Sequence, residues 1–190
     1  CAPRELRLEL ATTPEEEVEA EACWRDLGLE GKRVAGLLPG AAFGSSKCWP
    51  SGHFAELARR LRGELGLEAL ILHGPGEARI AQAVREGSGG TARVASPDLG
   101  TLKALIRRLA LAVTNDSGPR HMAEALGVPT VSLLGPVDPR YSDSGNPRVR
   151  ALREPVDCSP CGLKICPIDH RCLVRILPER VLREIRSLLG

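Results

Sequence analysis

The sequence predicts a doubly wound parallel α/β sheet of the Rossmann-like kind, and three observations carry that prediction. Short apolar runs recur at Arg33–Leu38, Ala69–His73, Leu109–Thr114 and Pro129–Leu134, each too short for a buried helix and each ending in a glycine, proline or polar turn. Amphipathic stretches of helical period lie between them. Strand and helix alternate at a spacing that crossover connections require.

The elements follow in order. Residues 4–10 alternate charged and apolar side chains, as a half-buried strand or an extended lead-in would. Thr13-Pro14-Glu15-Glu16 supplies a cap, a proline at the first helical position and a glutamate three residues beyond the cap, so a helix should run to about Leu27 and stop at Gly28. After the strand at 33–38, a loop holds Ala41 to Pro50, and a helix from about Gly52 to Leu65 places Phe54, Leu57, Ala58 and Leu61 on one face. The strand at 69–73, the Gly74-Pro75-Gly76 loop and a helix from Glu77 to Arg85 repeat the unit. A short strand at 92–94, a helix from Leu99 to Arg108 capped by Asp98, and the strand at 109–114 repeat it again. A helix from Arg120 to Leu126 and the strand at 129–134 come next. Residues 137–147 are too polar and turn-rich for a core element. A strand at 148–152, a cysteine-rich loop over 156–173 and a helix over 178–189 close the chain.

Composition bounds the function. A chain of 190 residues with 43% hydrophobic side chains can bury one good core, so a single domain is expected. The 26 basic and 24 acidic residues are interspersed and aromatics are 3%, which argues against a nucleic-acid stripe or base-stacking platforms. No apolar run approaches the ~20 residues of a membrane span, and no signal peptide opens the chain, so a cytoplasmic location is expected.

Ligands of open α/β sheets bind outside the carboxyl ends of the strands, which directs attention to four loops. In Val113-Thr114-Asn115-Asp116-Ser117-Gly118-Pro119-Arg120-His121-Met122-Ala123 a strand breaks at a polar turn and resumes as a helix. The backbone N–H groups of Ser117 and Gly118 suit an anion there, although Asp and Ser are also ordinary helix caps. In the first loop Lys47 supplies a mobile cation suited to a phosphate; a plain surface lysine is the other reading. Glu77 could accept hydrogen bonds from ribose hydroxyls or simply favour the start of its helix. Ala42, Phe43, Gly74, Gly135 and His121 are further candidates at the same edge. His121 falls in the first turn of its helix, where a packing role bonded to a neighbouring loop is favoured over ligand contact. The Gly74-Pro75-Gly76 loop lacks the third glycine of a dinucleotide fingerprint, and no phosphate-loop pattern occurs, which excludes the usual NAD and NTPase signatures.

Together, Leu38-Pro39-Gly40-Ala41, Lys47-Cys48-Trp49-Pro50, Phe54-Ala55-Glu56-Leu57, the run from Thr114 to Gly127 and Leu134-Gly135-Pro136-Val137-Asp138-Pro139 resemble the heptosyltransferases of lipopolysaccharide synthesis, glycosyltransferase family 9. The resemblance runs from residue 33 to the end and matches the C-terminal, donor-binding half of that two-domain GT-B architecture. It implies a nucleoside diphosphate-sugar donor of the ADP-heptose kind and a lipid-linked saccharide acceptor at the inner face of the inner membrane. It further implies that Lys47 contacts the diphosphate, Glu77 the ribose, Asp116 the donor sugar, and the Ser117 and Gly118 N–H groups the phosphates. A cation and a helix N-terminus stabilise the leaving diphosphate without a metal, so no cofactor is expected for transfer. The carboxylate base that activates the acceptor is expected in an N-terminal acceptor domain outside this sequence, leaving the isolated chain inactive. A non-catalytic nucleotide-sugar module, or a metal-stabilised interaction module, is the alternative.

Seven cysteines, four of them crowded at Cys158, Cys161, Cys166 and Cys172, do not resemble a secreted disulfide framework. Their C-x2-C-x4-C-x5-C spacing makes them a candidate structural zinc site, with reduced thiols or local disulfides as the other readings.

Overall fold

The computed structural model describes residues 8–141 and 144–190. Of the expected lead-in segment, residues 4–7 lie outside the described residues and Leu8–Leu10 has no regular structure.

The first helix, α1 (Pro14–Asp26), begins as its sequence predicts. Thr13 Oγ1 accepts from the Glu16 backbone, the Glu16 carboxylate accepts from the Thr13 backbone, and Gly28 just past the end takes φ of 65°. The alternation then runs β1 (Val34–Leu38), α2 (Ser51–Leu65), β2 (Glu68–Leu72), α3 (Ala78–Gly87), β3 (Arg93–Ala95), α4 (Leu99–Arg107), β4 (Leu111–Asn115), α5 (Gly118–Ala125), β5 (Thr130–Leu134) and β6 (Val149–Arg153). A four-residue helix that sequence reading missed, α6 (Arg171–Val174), precedes α7 (Pro178–Leu189). It is too short to show a helical period, and its neighbours are loop residues.

Among the described residues six strands form one parallel sheet, in the order β3-β2-β1-β4-β5-β6. Successive side chains of a strand point to opposite faces, so each strand feeds two cores. Ala35 and Leu37 join Ile71, Val113, Val131 and Leu133 beneath α2, α3 and α7. Val34 and Leu38 join Leu70, Leu72 and Ala112 beneath α1, α4 and α5. Gly36 lies on the second face, where a Cβ would stand 2.3 Å from the Leu109 side chain, so a larger residue there would force Leu109 to shift. The chain winds outward in one direction from β1 and in the other from β4. The switch point falls between these neighbours, and their carboxyl ends open the crevice where ligands of such sheets sit.

Candidate functional site

The loops after β1 and β4 meet at that crevice. Their residues Ala41, Ala42, Phe43, Lys47, Asp116, Ser117, Gly118 and His121, with Val137 and Tyr141 from beyond β5, line a cleft of about 370 Å³. The first loop is irregular apart from a single 3₁₀ turn at Ser45–Lys47, so side chains from elsewhere must hold it. Asn115, fully buried at the end of β4, donates through Nδ2 to the Pro39 and Gly40 carbonyls at 2.7 and 3.2 Å and accepts from the Trp49 backbone at 3.0 Å. Trp49 is fully buried, and its indole N–H donates to the Ile176 carbonyl at 2.8 Å.

The corner between β4 and α5 concentrates charge. Lys47 Nζ lies 2.8 Å from Asp116 Oδ2 and 3.0 Å from the Asp116 carbonyl, and 5.0 Å from the centre of the Phe43 ring. The other carboxylate oxygen accepts from Arg120, one helical turn on, at 2.9 Å. Asp116 is 5% exposed and Arg120 0%. Burial alone would raise the Asp116 pKa, but the hydrogen bonds and charges of Lys47 and Arg120 outweigh it and hold the carboxyl below its ordinary value. Two cations around one carboxylate leave the corner with a net positive charge. An ammonium has three donors, so Lys47 keeps one for a ligand while remaining anchored. The backbone N–H groups of Ser117 and Gly118 have no partner among the described residues and lie at the positive end of α5. The cleft therefore offers a lysine and two N–H donors on one side, the set an oxyanion-rich group needs.

Of the sequence-predicted residues, Lys47, Asp116, Ser117, Gly118, Ala42, Phe43 and His121 converge on the cleft, while Glu77, Gly74 and Gly135 do not line it. Glu77 Oε2 accepts from the Gly74 N–H at 2.8 Å, and a Cβ on Gly40 would stand 2.0 Å from its carboxyl, which places Glu77 directly behind the first loop. Gly135 packs under Leu173, and its carbonyl accepts from Ser159 Oγ at 2.7 Å, so it is a close-packing glycine. His121 corrects an expectation: it is exposed and forms no hydrogen bond with a neighbouring loop among the described residues. At the first turn of α5 its side chain projects toward the cleft mouth rather than into the core. Sequence reading missed the roles of Asn115 and Arg120. The Asp116-x3-Arg120 spacing, one turn of helix, was the available signal for the second. Val137 lay in the Leu134–Pro139 motif without being singled out, and Tyr141 carried no signal.

The four clustered cysteines line a separate, small apolar cavity with Ser46, Pro136 and Leu163. Among the described residues no three His, Cys, Asp or Glu side chains are grouped so as to hold a metal ion. Cys158 and Cys161 are exposed, Cys166 is half-buried and Cys172 is buried on α6. No helix among the described residues is long and apolar enough to cross a membrane.

A parallel sheet wound both ways from a switch point, with a cationic cleft at that point, defines an α/β domain of the nucleotide-binding class. The family model of glycosyltransferase family 9 (heptosyltransferase) matches residues 3–171, and the chain belongs to that family. It is 33% identical over 177 residues to lipopolysaccharide heptosyltransferase 2 of Salmonella typhimurium, an alignment covering 87% of this chain and 49% of that protein. It is 31% identical over 169 residues to lipooligosaccharide heptosyltransferase 2 of Campylobacter jejuni, covering 83% and 52%. Among solved structures, Escherichia coli ADP-heptose lps heptosyltransferase II superposes with a TM-score of 0.80 at 27% identity, covering 100% of this chain and 55% of that one. A family 9 glycosyl transferase from Veillonella parvula superposes with a TM-score of 0.82 at 29% identity, covering 96% and 54%. The chain thus spans about half the length of the curated relatives it matches.

Proposed function

We propose that residues 1–190 form the nucleotide-sugar-binding domain of a heptosyltransferase with GT-B architecture. It moves heptose or a related sugar from a nucleoside diphosphate, ADP-heptose in this reading, to a lipopolysaccharide core acceptor at the inner face of the inner membrane. The observation that carries the proposal is the convergence of Lys47 with the unpartnered N–H groups of Ser117 and Gly118 across one cleft. Breaking the bond between the sugar and the diphosphate places negative charge on the departing phosphate, and donors already fixed around it stabilise that charge as it develops. Asp116, with both oxygens engaged, acts first by holding Lys47 and Arg120; its contact with the donor sugar would use the remaining lone pairs. Glu77, behind the first loop, is the proposed partner of the ribose hydroxyls through Oε1. The base that deprotonates the acceptor and the surface that binds it are supplied from outside these residues.

The transfer needs no cofactor in this reading. A structural zinc on Cys158, Cys161, Cys166 and Cys172, which line one cavity, is the finer reading, and elemental analysis of the purified chain decides it.

Calorimetric titration with ADP and ADP-heptose tests the donor site. The parent should bind both, and Lys47→Ala should weaken each by tenfold or more, as expected for losing one charge-assisted contact worth about 1.5–3 kcal/mol. Equal affinity in parent and variant would remove Lys47 from the site, and transfer by this chain alone would refute the externally supplied base.

A further inference from the structure

The cysteine segment is bound at closely spaced points to the two loops, after β1 and β5, that contribute residues to the cleft. Ser159 Oγ donates to the Gly135 carbonyl at 2.7 Å, and Gly162 N–H donates to the Pro136 carbonyl at 2.8 Å, both just after β5. The next two carbonyls serve the first loop: Leu163 accepts from Ser46 Oγ, and Lys164 accepts from Ser46 N–H at 3.1 Å. A Cβ on Gly44, whose φ is 155°, would stand 2.2 Å from the Lys164 carbonyl oxygen, so the two segments are packed without slack. Lys47 follows Ser46 directly. A shift of residues 158–164 therefore displaces the loop that presents the lysine to the cleft.

Four free thiols share the cavity that Ser46 walls. Cys158 and Cys161 are exposed and bracket Ser159 and Pro160, whereas Cys172 is buried. We propose that Cys158 and Cys161 form a thiol–disulfide site whose state sets the donor affinity of the cleft through Ser46. The coupling rests on the donor-site reading above. The oxidant is an external disulfide such as oxidised glutathione. A Cys158 or Cys161 thiolate attacks one sulfur of that disulfide and expels one glutathione thiolate. The second protein thiolate attacks the mixed disulfide and expels the other, forming the Sγ–Sγ bond. Two electrons pass to glutathione, and the two protein thiol protons end on the two glutathione thiols. The ring so closed takes in Ser159 and Pro160, and in this proposal closing it shifts the 158–164 segment whose Leu163 and Lys164 carbonyls hold Ser46.

The test exposes the purified chain to oxidised glutathione, maps the disulfide by peptide mass spectrometry, and titrates ADP before and after. Expected are a Cys158–Cys161 disulfide, about fivefold weaker ADP binding, equal to the worth of one ordinary hydrogen bond, faster amide exchange at Ser46, and full reversal by dithiothreitol. Cys158→Ser with Cys161→Ser should bind ADP like the reduced parent and ignore the oxidant. A mapped disulfide with unchanged ADP affinity and Ser46 exchange overturns the coupling. Failure of the pair to oxidise, or one metal ion per chain held by the four thiols, overturns the site. If the reduced chain binds no ADP, the donor reading fails and the affinity coupling with it, while disulfide mapping and Ser46 exchange still judge the thiol pair.

Discussion

The β4–α5 corner and the loop after β1 face the same cleft, yet they are held in opposite ways. The corner is built within six residues: strand end at Asn115, Asp116, the start of α5, and Arg120 in its first turn, closing an ion pair back onto Asp116. The loop has one 3₁₀ turn of its own and depends on partners far away in sequence, from Asn115, 66 residues from Trp49, to Ile176, 127 residues from it. A locally closed corner holds its donors by short-range geometry, whereas a remotely held loop can be moved by whatever moves its supports. The two meet in the Lys47–Asp116 pair.

The largest effect should come from breaking the corner. Asp116→Ala leaves the fully buried Arg120 guanidinium without this carboxylate, and removing one partner of a buried pair costs about 3–5 kcal/mol. Urea unfolding measures it, and the double variant Asp116→Ala with Arg120→Met should lose less than the sum of the two single variants, because the two side chains interact directly. A loss below about 1 kcal/mol would show that packing, not charge, holds the corner. The same pair fixes a pH dependence. The folded pKa of Asp116 is depressed, so its contribution to stability is present above the ordinary carboxylate value of about 3.9 and is lost as pH falls through the lower folded value. That acid-side decline should be weaker in Asp116→Asn.

This contrast also explains what could be read from sequence. The strands β1, β2, β4 and β5 were legible because burial on both faces leaves largely apolar runs, the edge strands β3 and β6 from their place in the alternation, and α1 and α4 because Thr13 and Asp98 cap them through their own neighbours. The corner was legible for the same reason, since a strand end and a helix start within a few residues fix where N–H groups point. The contacts of the first loop were not. Nothing in Ala41 to Pro50 says that Asn115 will bridge Pro39, Gly40 and Trp49, or that carbonyls at 163 and 164 will hold Ser46. Such partners follow from the assembled sheet and not from any local period. Glu77 was legible as a carboxylate at the start of its helix, but its position behind the loop depends on Gly40 having no side chain.

Breaking the loop's chief support should rank second. Asn115→Ala leaves the Pro39 carbonyl and the Trp49 N–H unsatisfied in a buried setting, for an expected loss of about 2–3 kcal/mol by urea unfolding. It should also weaken ADP binding, since Lys47 rides on the same loop. If stability falls while ADP affinity holds, the corner alone fixes Lys47 and the two regions are less coupled than their geometry states.

The smallest effect separates the two regions most sharply. Ser46→Ala removes the hydroxyl that donates to the Leu163 carbonyl, at an expected cost of about 1 kcal/mol. Thr13→Ala removes the α1 cap, at a similar cost of about 1 kcal/mol, on a helix that packs against the opposite face of the sheet from Trp49 and α2. The two variants should therefore melt alike. They should differ in ADP titration, where Thr13→Ala binds like the parent and Ser46→Ala binds severalfold more weakly, because only the second loosens the segment that carries Lys47. Equal affinities in both would mean that the loop tolerates the loss of its outer support, and that the corner, anchoring Lys47 through Asp116, suffices to keep the lysine in place.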